Sequence, residues 1–328
     1  MTKKRVLVGI GCVLGAFVLV GIGLFAGISH NHNGALAETK NPFPLLDTSV
    51  NDNSVQQDII NFDPLRQNIK QYLASLNIPH SFYFEYLPNG VNIRDGEDQT
   101  TIAASLMKTP IVMDLYSLAE AKKLDLRQTT TIEQDDINND PEYGNPAGLS
   151  PSDLTVGQTI TYKQAAYLAL HDSNNTAIDI VKRIINPLLT SDTDVVSSLD
   201  VAYTNTGSDP STRVFQISAR SYGSIMKCLY YSCFLNPKDS QEVLTDLIGS
   251  AGQNELAAGV PSGVQVAHKI GSAQNRQSDC GIVYQPKQPY LVCTMFFPGQ
   301  QTTAIDTSPY FQKISKMISD YVISKKEN

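Results

Sequence analysis

The chain has 328 residues, 41% hydrophobic and 17% charged, with 25 basic against 32 acidic side chains and a formal charge of −7. It is too apolar for a disordered polymer and long enough for a large core in one or two domains. Beyond residue 37 the balance is 22 basic to 32 acidic, or −10, which argues against nucleic acid as the main partner, because phosphate binding needs a dense basic face. There is no CxxC pair, HExxH, GxxxxGK[ST] or strand-led GxGxxG, and two of the five histidines, His30 and His32, sit in a linker. Zinc-protease, P-loop and dinucleotide chemistry are thereby set aside, and neither a metal nor a cofactor is expected.

Residues 1–5 carry Lys3, Lys4 and Arg5, and Val6–Ile28 is uncharged over 23 residues. As a helix that segment is about 34 Å long, enough for a hydrocarbon core of roughly 30 Å. With the basic cluster held inside, a single-pass anchor at 6–28 places everything after it outside the cytoplasm. Ala35-Leu36-Ala37 offers the competing reading, a cleaved signal and a secreted protein. Cys228, Cys233, Cys280 and Cys293 then lie in a disulfide-permissive space, with three pairings open. Cys280 and Cys293 fall symmetrically about Pro286-Lys287, opposed across a predicted hairpin, either bonded or merely packed.

Residues 29–61 are polar and aperiodic, a stalk ahead of a globular domain over 62–328. Leu65, Ile69, Tyr72, Leu73 and Leu76 predict a helix over Phe62–Asn77. Strands follow at Ser81–Tyr86 and Gly90–Arg94 around a Pro-Asn-Gly turn. A long helix is predicted from Ser105 to Lys123, irregular pieces over 129–160, and helical sequence across Thr161–Ile185, Ser218–Tyr231 and Ser240–Ile248. Strands at Val264–Ile270, Gly281–Tyr284 and Tyr290–Phe297 precede a closing helix, Pro309–Ser324. Strands at both ends and helices between them predict an α+β fold, in which one antiparallel sheet built from both chain ends carries an inserted all-helical lobe.

Three short motifs carry chemistry when taken together. Ser105-Leu106-Met107-Lys108 puts a hydroxyl and an amine on one side of a helix start; alone it reads as well as a capping serine and a solvated lysine. Ser173-Asn174-Asn175, after the run ending Leu168-Ala169-Leu170, alone is a polar turn. Lys269-Ile270-Gly271-Ser272 closes a predicted strand. Their order and spacing, with Ala103-Ala104 before Ser105, Pro110 after Lys108, and Thr176-Ala177 after Asn175, resemble the serine β-lactamase and penicillin-binding-protein family, class A β-lactamases in particular, over about Phe62–Ser324.

That resemblance implies an active-serine acyl transferase acting on β-lactams or on D-Ala-D-Ala-like peptidoglycan stem peptides. Ser105 would be the nucleophile and Lys108 its base, with an amine pKa brought down from about 10.4 toward 7 by burial and a neighbouring cation. Ser173 would bridge Lys108 and Lys269 and pass a proton to the leaving nitrogen. Asn175, Gly271, Ser272 and Arg276 would contact substrate, and the backbone N–H groups of Ser105 and Ser272 would hold the oxyanion. Two positions depart from the family pattern. Ile270 replaces the usual hydroxyl residue after the lysine, and no Glu occurs between Glu142 and Glu242, where class A enzymes keep their deacylating base. Asp209, followed by Pro210, stands near the expected place, either as that base or as a turn residue. A peptidase that releases its acyl group slowly, a non-catalytic surface protein binding peptidoglycan or a partner, and a serine esterase or amidase are the competing functions.

Overall fold

The computed structural model describes residues 42–46, 60–137, 154–190, 194–206, 214–273, 275–299 and 305–325. Chain contacts separate Met1–Pro42 from Phe43–Asn328, and the helices and strands described all belong to the second unit. The predicted anchor at 6–28, the start of the stalk and Asp209 lie outside the described residues. Among the described residues no helix is long and apolar enough to cross a membrane.

Helix α1 (Asp63–Leu76) opens with Pro64 in its first turn and buries Leu65, Ile69 and Leu73, the stripe its periodicity predicts. It leads into β1 (His80–Tyr86) and β2 (Val91–Asp95). Late in the chain come β8 (Val266–Ala273), β9 (Arg276–Val283) and β10 (Tyr290–Phe296). These form one antiparallel sheet in the order β2-β1-β10-β9-β8, with β1 paired to β10 from His80↔Phe296 to Tyr86↔Tyr290. The N-terminal hairpin and the C-terminal strands thus share one sheet, as the element order predicts. Strand β8 is an edge.

The sheet divides two cores. One face packs on α1 and the closing helix α8 (Ser308–Ser324) through Phe82, Phe84, Tyr290, Phe296, Phe311 and Ile314. The other packs on the helical lobe through Leu291, Ile282 and Ala267. That lobe contains α2 (Lys108–Glu120), α3 (Tyr162–His171), α4 (Asn175–Ile185), the short α5 (Val195–Ser198), α6 (Ala219–Tyr231) and α7 (Pro237–Leu247). Cys228 bonds Cys233 and Cys280 bonds Cys293, the latter pair directly opposed in the β9–β10 register.

Three elements differ from the sequence expectation. The helical stretch Thr161–Ile185 is two helices, because Asp172-Ser173-Asn174 breaks it with Ser173 in the left-handed region, at φ 55°. The β8–β9 hairpin runs from 266 to 283, since backbone pairing continues past the apolar residues to Ala273↔Arg276. Strands β3 (Thr100–Ile102), β6 (Tyr203–Thr206) and β7 (Val214–Ser218) form a second sheet in the order β3-β7-β6, and β4 (Thr129–Thr131) pairs β5 (Thr159–Thr161). These short polar strands carry too little alternation to be read from sequence.

Candidate active site

The turn bearing Ser105 is held between two sheets. Ala103 donates its N–H to the Phe215 carbonyl at 2.8 Å, continuing the β3–β7 ladder. Ala104 then takes φ 46°, a conformation that costs a non-glycine residue on the order of 1–2 kcal/mol. This reversal starts a 3-10 turn, Ala104–Met107, which feeds directly into α2. Residues i and i+3 eclipse in such a turn, so Ser105 and Lys108 share a side. The Lys108 N–H bonds back to the Ser105 carbonyl.

Ser173 reaches the same place because α3 stops short of it. Asn174 is fully buried, donates its N–H to the Leu168 carbonyl at 3.1 Å, and caps α4 by accepting the Ala177 N–H at 2.9 Å. The middle residue of the second motif is therefore a structural cap that fixes its two neighbours. Lys108 Nζ donates to Asn175 Oδ1 at 2.6 Å, to Ser173 Oγ at 3.3 Å and to the Ser173 carbonyl. From the other side Lys269 Nζ donates to Ser173 Oγ at 2.8 Å. Residues 108, 173, 175 and 269 of the three motifs are thus gathered from two helix starts, the turn between α3 and α4 and an edge strand, with Ser105 in the turn that leads into Lys108.

Both amines are withdrawn from water: Lys108 is 4% exposed and Lys269 wholly buried. Burial is the main reason that each is held below the ordinary lysine range. For Lys108 the charges of Lys269 and Lys182 push further in that direction. Lys269 is brought down to about 7, with the Asp279 carboxylate opposing the shift.

Gly271 explains how β8 comes so near the nucleophile turn. A Cβ there would stand 2.7 Å from the Ala103 carbonyl oxygen and 3.0 Å from Leu106 Cγ, so only glycine lets the strand lie against residues 103–106. Ser272 follows with its side chain exposed at the open edge. Arg276 begins β9 opposite Ala273, on the sheet face shared with Lys269 and Gly271. Ile270 is buried and turned the other way. Its face also carries His268 and Asp279, fully buried and bonded at 2.8 Å; Asp279 Oδ2 takes the Leu256 N–H at 2.9 Å. Sequence reading missed this pair and the nearby Glu255, because a lone acid in a loop carries no local signal. Among the described residues no group of three or more His, Cys, Asp or Glu is placed to hold a metal.

A two-lobed α+β fold with a serine, two buried lysines and a second serine at the lobe junction defines a serine hydrolase. The model of the beta-lactamase enzyme family matches residues 64–322, and the chain belongs to that family. No curated protein matches the chain in sequence. Among solved structures, PBP-A is 20% identical with a TM-score of 0.66, covering 83% of this chain and 100% of its own. A beta-lactamase from Sphaerobacter thermophilus is 17% identical with a TM-score of 0.67, covering 82% and 100%. A mutant of PBP-A, described as an acyl-enzyme complex with penicillin G, is 21% identical with a TM-score of 0.64, covering 80% and 97%. At these identities the likeness is one of fold.

Proposed function

We propose that this chain is an extracytoplasmic acyl-enzyme former acting on β-lactams or D-Ala-D-Ala-like amides through Ser105, with slow release of the acyl group. The observation that carries the reading is the convergence of Lys108 Nζ and Lys269 Nζ on Ser173 Oγ. Neutral Lys108 takes the proton of Ser105 as Oγ bonds to the substrate carbonyl carbon. The tetrahedral oxygen is held by the N–H groups of Ser105 and Ser272. The C–N bond then breaks, and Ser173 donates its proton to the leaving nitrogen and is reprotonated through the lysines. Asn175 serves both as a partner of Lys108 and as the acceptor or donor for the substrate's acyl-side amide. Water completes the cycle by releasing the acid.

Slow release is favoured because no Glu lies between Glu142 and Glu242; Asp209 is the candidate replacement. The penicillin G complex of the PBP-A mutant shows that a similar fold can be caught as an acyl-enzyme. The uncharged run at 6–28 supports placement outside the cytoplasm, membrane-tethered or secreted.

The test is an intact-mass time course of the full-length chain with benzylpenicillin. An adduct on Ser105 that persists for hours supports the proposal. An adduct that disappears as penicilloate accumulates makes the protein a β-lactamase and Asp209 the first residue to change. No adduct and no product would refute penicillin recognition.

A further inference from the structure

Past Ala267, which bridges Ile248, and His268, whose carbonyl takes the Ser250 hydroxyl, strand β8 is the sheet edge along which an extended substrate can lie, and its two faces are chemically unlike. Lys269, Gly271 and, across the register, Arg276 share one face. On the other, Ile270 offers no donor, and its Cγ2 and Cδ1 come 2.3 and 3.0 Å from where a Cβ on Gly252 would stand. Gly252 is at φ +95°, and Glu255 Oε2 lies 3.2 Å from the same point. The Ile270 side chain and the Glu255 carboxyl therefore both border the space beside Gly252.

Glu255 is only 7% exposed. Its Oε1 accepts from Gln277 Nε2 at 2.5 Å, while Oε2 is buried without a hydrogen-bond partner among the described residues. Such an orphan acceptor is costly, and it marks a place where a donor is wanted. Three groups beside it are committed: Gln277 Nε2 is paired to Glu255, and the His268 ring and the Leu256 N–H are taken by Asp279. Burial, reinforced by the Asp279 charge, holds the Glu255 carboxyl above the usual range. A carboxylate brought against this rim meets two acids whose donors are already taken; an amide brings an N–H and no charge.

We infer that Ile270 and Glu255 make this rim selective for substrates whose carboxyl group on the leaving side of the scissile bond is capped as an amide. An internal peptide linkage is then preferred to a chain ending in a free carboxylate. The inference rests on the acyl-transfer reading above and narrows its substrate class.

The experiment uses the full-length chain with two matched probes, diacetyl-lysyl-D-alanyl-D-alanine and its C-terminal amide, and follows the released amine by mass spectrometry. Benzylpenicillin and its primary carboxamide give the same contrast for labelling of Ser105. The capped forms are expected to react about tenfold faster. Ile270→Thr and Glu255→Gln should each shift that ratio severalfold toward the free acids, with circular dichroism confirming the fold. Ile270→Thr alone decides the matter if Glu255→Gln fails to fold. Faster reaction of the free acids in the unaltered chain, or a ratio that neither variant moves, overturns the inference while leaving the acyl-enzyme intact. Failure of all four reagents to react at Ser105 overturns the acyl-transfer reading and the selectivity with it.

Discussion

The two faces of β8 bury polar groups in opposite ways. Toward the helical lobe, Lys269 is buried against a hydroxyl that Lys108 also addresses, so two amines share one neutral partner with no carboxylate bonded to either among the described residues. Toward α1 and α8, His268 and Asp279 are buried as a matched pair, with the second carboxylate oxygen on a backbone N–H. In the first arrangement burial disfavours the charged form of both amines. The second is satisfied and holds the strand in place. Alternation along one strand separates them, which is how a reactive group and its rigid support can occupy adjacent residues.

Removing the reactive side should have the largest effect. Lys108→Ala is expected to lower the rate of Ser105 acylation by about 10²–10⁴, read from the benzylpenicillin time course. On the supporting side, Asp279→Ala strands the His268 ring and the Leu256 N–H in the core. A loss of about 3–5 kcal/mol in urea unfolding is expected, and a loss under about 1 kcal/mol would show that the pair is not structural. Gly271→Ala tests the contact between strand and turn. Pushing β8 off the Ala103 carbonyl should cost about 100-fold in acylation with little change in unfolding midpoint.

The smallest expected effect lies on α2 and is set by pH. Asp114, 6% exposed, accepts the Val195 N–H at 2.8 Å, and burial raises its carboxyl to about 7. The folded chain then holds a proton that the unfolded chain loses near pH 4, so stability falls as pH rises between about 4 and 7. Asp114→Asn keeps the acceptor and removes the charge. It should gain about 1–2 kcal/mol above pH 7 and nothing below pH 4; a gain independent of pH would contradict this cause.

Much of this was legible in the chain. The stripe Leu65, Ile69 and Leu73 determined the first helix, and terminal strands around central helices determined the α+β arrangement. Motif order marked Ser105, Lys108, Ser173, Asn175 and Lys269, since residue type and spacing alone carry that signal. The break between α3 and α4 was less visible, because the apolar period runs through Asp172-Ser173-Asn174. Only the buried cap by Asn174 and the left-handed turn at Ser173 place that hydroxyl between two amines.

The sequence by itself thus determined which groups are available and the elements that carry them. The tertiary structure decided what those groups are. Burial takes two lysines out of water and lowers their basicity; contact at Gly271 sets the distance between strand and nucleophile. Neither is a property of neighbours in the chain. Glu255 makes the same point: it reads as one more loop acid until folding removes its water and sets it beside Ile270, and desolvation depends on everything packed around a group rather than on the residues next to it in sequence.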